Sequence, residues 1–189
     1  MSLLVSALQI YMPDFVKKRA LTELFKSTAA AFEAEVPQLA GLDPKECLAQ
    51  YARFAQTQAE QRLRDGREIE AVAQRLYRNA VEMGRLHSKW LRPGTVQDVM
   101  DIGRVLYRIL DIDLQGDARG EVVVSRCYFS RFYSAEVCRL MSAMDRGLFA
   151  GLSNGGELTF SSRITEGQPC CRAHFSWPQK PANYPARKI

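Results

Sequence analysis

The sequence predicts an α+β domain, a helical N-terminal half followed by a β-α-β-β unit with an antiparallel sheet. Three observations predict it. Apolar residues recur at three- and four-residue spacing through the first 111 positions. From Glu121 onward, short β-branched or alternating runs replace that pattern: EVVVSRC, ELTFSSRIT and CCRAHFSW. One further helical stretch, SAEVCRLMSAMDRGLFAGL, separates the first of these runs from the other two. The 189 residues are read as one domain over positions 1–177, mainly helical over 1–111 and β-α-β-β over 120–177. The tail 178–189 contains three prolines and no periodicity, so an extended or disordered segment is expected there.

Each element has its own signals. Pro13 suits a first helical turn, and Phe15, Leu21 or Leu24, Phe25 and Phe32 follow at helical spacing until Pro37 and Gly41 interrupt it. Asp43 caps the next helix, with Pro44 in its first turn and Gly66 as its stop. A third helix over roughly 67–91 carries Val72, Leu76, Val81, Met83, Leu86 and Trp90, and the run RPG ends it. Thr95 and Asp98 form a capping pair for TVQDVMDIGRVLYRILDI. GDARG is a turn into the first strand, Ser134 caps the late helix, and NGG closes it. The last two runs form a hairpin around EGQP.

Composition narrows the function classes. Hydrophobic residues make up 47% of the chain, and no apolar run is long enough for a membrane span. The start lacks a basic region and cleavage site, and five cysteines without an export signal imply reduced thiols, so a cytoplasmic location is expected. The net charge of +5 comes from scattered arginines, which argues against nucleic acid and allows a small anionic ligand. CxxC pairs, HExxH, glycine-rich phosphate loops and GxSxG are all missing. His87, beside Leu86 and Trp90, is read as structural.

The candidate site comes from sorting the second half by face. Leu158, Phe160 and Ile164 alternate with Thr159, Ser161 and Arg163. Cys171, Ala173, Phe175 and Trp177 alternate with Cys170, Arg172, His174 and Ser176. Cys171 therefore faces inward, either as a small buried hydrophobe or as part of a pocket. Cys138, Met141, Leu148, Phe149 and Leu152 form the apolar stripe of the late helix, and Asp145 falls on that stripe. A carboxylate there must be paired, metal-bound, protonated or at a polar cavity, because an unpaired buried charge is costly. The plainer alternative places it at the stripe edge, bonded to Arg146, Arg126 or a backbone amide. Cys127, Cys138, Asp145 and Cys171 thus surround a pocket, where Arg126, Arg131 or Arg163 could meet an anionic ligand.

The run from Ser125 to Phe175 resembles the C-terminal signature of the L-2-amino-thiazoline-4-carboxylic acid hydrolase-like family, through Cys127, Cys138, Asp145, Gly167, Cys171 and Phe175. The likeness covers about residues 70–177. It implies opening of a C–N bond in a cyclic amidine. Asp145 would be general base or amidinium partner, Cys171 or Cys138 nucleophile or pocket wall, and Cys127 with Arg126, Arg131 or Arg163 would bind substrate. The layout is also similar to vinyl-reductase-type domains, which implies the alternative of a non-enzymatic small-molecule sensor. A third reading is a scaffold subunit that uses the fold for dimerisation. Those sensors hold a structural zinc through a Glu-x-x-Cys on a strand. Phe160 and Arg163 stand at those positions here, so neither metal nor cofactor is expected. The resemblance and the excess of apolar helical surface both imply a homodimer.

Overall fold

A computed structural model describes residues 11–66 and 68–177, and the N-terminal arm and the tail 178–189 lie outside the described residues. Four helices come first. α1 spans Asp14–Phe32, α2 Pro44–Asp65, α3 Ile69–Leu91 and α4 Val96–Ile109. The capping chemistry read from the sequence is present at two of them. Asp43 and Glu46 exchange backbone-to-carboxylate bonds of 2.8 Å each at the start of α2. Thr95 Oγ1 accepts from the Asp98 amide at 3.1 Å, and Asp98 Oδ2 accepts from the Thr95 amide at 3.0 Å. Gly66 ends α2 in the left-handed region at φ 64, where glycine carries no Cβ penalty.

The predicted class is what the structure shows, with one strand added. β1 (Asp113–Gly116) and β2 (Glu121–Arg126) form a hairpin ahead of α5 (Ala135–Ser153). β3 (Glu157–Ser162) and β4 (Cys171–Ser176) follow. The unit is therefore β-β-α-β-β, and the antiparallel sheet has the order β1-β2-β4-β3. The sequence reading ran helix α4 on toward Ile112 and placed no strand there. β1 is only four residues long and has no alternation of its own. Its pairing with β2 and the tight turn at Asp117 hold it, the Asp117 carboxylate accepting from the amides of Arg119 (2.9 Å) and Glu121 (3.0 Å).

The inner face of the sheet follows the predicted alternation. Val122, Val124, Leu158, Ala173 and Phe175 are buried, and Leu158 stands opposite Phe175. α5 covers this face and packs against α3 almost backbone to backbone. Glycines make that approach possible: a Cβ on Gly151 would strike the Val81 carbonyl, and one on Gly147 the Tyr77 carbonyl. α1 runs antiparallel to α3, since Asn79 Nδ2 donates to the Ser27 carbonyl (3.0 Å) and Arg75 Nε to the Ala31 carbonyl (2.7 Å). The start of α1 therefore lies beside the end of α3. No helix among the described residues is long and apolar enough to cross a membrane.

Candidate functional site

A cavity of about 990 Å³ opens between α1, α3, α4, α5 and the inner face of the sheet. Leu114, Val122, Val124 and Leu158 form its sheet wall, and Leu106, Ile109 and Leu148 supply apolar helix wall. Trp90 and Leu86 of α3 stand at its exposed rim. His87 lines the same side, and burial pushes its imidazolium below the ordinary histidine range.

The polar end is at Asp145. Tyr107 of α4 donates its hydroxyl to Asp145 Oδ1 at 2.5 Å. Asp145 is part-buried and lines the cavity. Desolvation therefore raises its pKa, while the Tyr107 bond and the more distant charges of Arg163 and Arg146 pull it down; the balance is a pKa pushed up to about 6. The described hydrogen-bond partner of Asp145 is a tyrosine on another helix, while Arg146 acts on it through its charge and Arg126 pairs with Asp111. Tyr107 went unnoticed as a site residue, although a tyrosine on the buried stripe of α4, with Val99 and Gly103, has a hydroxyl that needs an acceptor.

The structure brings Cys127, Cys138, Asp145, Cys171 and Arg163 to one cavity. Burial pushes the Cys127 thiol up to about 12, despite amide donors from Phe129 and Ser130. It also raises Cys138 and Cys171, although the Ile164 amide donates to Cys171 Sγ at 3.4 Å. All three are thus protonated thiols at neutral pH, poor nucleophiles as they stand.

The arginines divide. Arg163 was expected on the strand face opposite Phe160, yet both line the cavity. A bulge between Phe160 and Ser162 breaks the alternation, and a 3-10 turn over Ile164–Glu166 follows at once. The guanidinium lies over the Phe160 ring, 4.8 Å from its centroid, and 3.7 Å from Glu166 Oε1. Arg126 and Arg131, expected as ligand contacts, do not line the cavity. The register of β1 on β2 shifts after Asp113, which turns Arg126 outward to Asp111 at 3.0 Å. Arg131 lies over the Tyr128 ring, 4.5 Å from its centroid.

Aromatic residues that the sequence reading did not single out complete the polar end. Tyr51 of α2 and Tyr133, just before α5, line the cavity, and burial raises the pKa of both, with a smaller contribution from the charge of Asp145. Tyr133 is stacked on Phe129 at 5.3 Å, and Tyr51 meets the same phenyl ring edge-on at 5.8 Å. Among the described residues, no group of three or more His, Cys, Asp or Glu side chains is placed to hold a metal ion.

Fold and site together define an α+β domain built around a large, mainly apolar cavity with the Tyr107-bonded carboxylate of Asp145 on its wall. Compared with known proteins, the chain matches no family model, no curated protein and no solved structure.

Proposed function

We propose that the chain binds a small molecule in this cavity, a heterocyclic or similar compound with an apolar body and one polar group directed at Asp145. The observation that carries the reading is the cavity itself. Its volume of about 990 Å³ falls in the range of ligand pockets, and a mainly apolar wall with a few polar groups, Asp145 among them, is their usual make-up. Binding without a covalent step, as in a sensor module, is favoured because the three thiols at the site are protonated. The test is native mass spectrometry of the purified chain, with displacement of a neutral naphthylamine dye as a second readout. A chain that carries no small molecule and binds no dye would refute it.

Hydrolysis of a cyclic amidine is the second reading, favoured by one observation: a carboxylate with a pKa of about 6 is suited to act as a general base near neutral pH. Asp145 would take the proton from the water attacking the amidine carbon and return it to the ring nitrogen as the ring C–N bond breaks, with Cys138 and Cys171 as wall. Turnover of 2-amino-thiazoline-4-carboxylate, lost by roughly a hundredfold or more in Asp145→Asn, supports it. Absence of turnover in the wild type leaves only the binding reading.

We also propose a homodimer. Trp90 is 86% and Phe15 74% exposed, at the adjoining ends of α3 and α1, and large apolar side chains grouped on a surface mark interfaces. Light scattering that shows a monomer across the micromolar range would refute it.

A further inference from the structure

We infer that the Asp145 end of the cavity is a recognition site for an organic ammonium group, so that the ligand is an amine with an apolar body. This rests on the proposed binding function and narrows it.

Only one of the two Asp145 oxygens has a described hydrogen-bond partner, Tyr107 at Oδ1, and the carboxylate lines the cavity. Arg163 on the same wall lies over the Phe160 ring at 4.8 Å and 3.7 Å from Glu166, which also holds Arg139 at 2.9 Å; it acts on Asp145 through its charge and not through a described ion pair. Among the described residues Asp145 has no ion pair, and a cation from outside the protein answers it with a charge-assisted hydrogen bond.

Tyr51, Tyr107 and Tyr133 come from three separate segments and line the same cavity as Asp145, and Tyr107 bonds its carboxylate directly. Phe129 backs this group, stacked on Tyr133 and meeting Tyr51 edge-on. Aromatic faces attract cations and repel anions through the ring quadrupole, and they keep water from competing. A carboxylate set among aromatic rings therefore selects an ammonium head over an alcohol of the same shape. Arg19, Glu23 and Lys26 of α1 and Glu82 of α3 also line the cavity, but Glu23 and Glu82 are ion-paired with Lys26 and Arg85, and the apolar sheet wall of Leu114, Val122, Val124 and Leu158 is left for the body of the ligand.

The test compares phenylbutylamine with phenylbutanol as competitors of the neutral dye N-phenyl-naphthylamine on the full chain at neutral pH. The amine is expected to displace the dye at least about tenfold more tightly than the alcohol. Asp145→Asn should remove that preference, with each competitor measured against the variant's own dye affinity. Dye binding with equal displacement by amine and alcohol overturns the ammonium site and leaves the cavity reading standing. No dye binding and no competition overturns both. If Asp145→Asn does not fold by circular dichroism, Tyr133→Leu decides: the preference should fall by about threefold or more, and an unchanged preference overturns the proposal.

Discussion

Replacing Asp145 by Asn should stabilise the protein at neutral pH and lose that advantage in mild acid. The carboxyl titrates at about 6 in the folded chain against an ordinary 3.8. Between those values the folded state holds a proton that the unfolded state has released. Stability contributed by this group therefore falls as pH rises through that window, and it is level above it. Full ionisation costs the fold about 3 kcal/mol at pH 7.5, of which about 1 kcal/mol has been lost already at pH 4.5. Asparagine has nearly the shape of the protonated acid, can accept the same Tyr107 bond and does not ionise. Its stability relative to wild type should then improve by about 2 kcal/mol between pH 4.5 and 7.5, or about 4–8 °C in melting temperature for a chain of this size. Thermal unfolding of both proteins at the two pH values measures it, and groups that titrate alike in both cancel in the difference. A difference that does not change with pH, or an Asn variant that loses ground as pH rises, would refute the placement of an ionisable carboxyl in a desolvated cavity.

Three further outcomes follow from the same geometry. Tyr107→Phe removes the one described donor to the carboxylate and should cost about 2 kcal/mol at pH 7.5 and less at pH 4.5; chemical denaturation with equal losses at both would count against it. Gly151→Ala places a methyl group against the Val81 carbonyl and must part α3 from α5, so a loss of about 2–4 kcal/mol is expected, and a melting temperature within a degree of wild type would show that the helices are not in backbone contact. Cys127, its thiol held at about 12 by burial, should resist iodoacetamide in the folded chain at pH 8 and react once the chain is unfolded; rapid labelling of the folded protein, mapped by mass spectrometry, would contradict the burial.

Much of the fold was legible because it rests on local chemistry. The caps at Asp43, Thr95 and Ser134 are side chains bonding amides two or three residues on, so their signatures are contiguous in the sequence. The inward alternation of Leu158, Ala173 and Phe175 needs only the two-residue period of a strand. The candidate site was legible to the extent that periodicity places residues: Asp145 on the stripe of α5, and Cys127, Cys138 and Cys171 around it. Periodicity fails where the chain departs from it. Two bulges decided the arginines, turning Arg163 into the cavity and Arg126 out of it, and a bulge leaves little trace in composition. β1 exists through its pairing with β2, a contact between segments and not a property of four residues. The tyrosines around Asp145 come from α2, α4 and the approach to α5, with positions 51 and 133 standing 82 apart in the chain. Only the packing of these helices against one another brings their hydroxyls and rings to one carboxylate. The sequence by itself determined most of the elements and their buried faces; the cavity, and the aromatic company Asp145 keeps, were decided by tertiary structure, because they depend on distances between segments that no local pattern encodes.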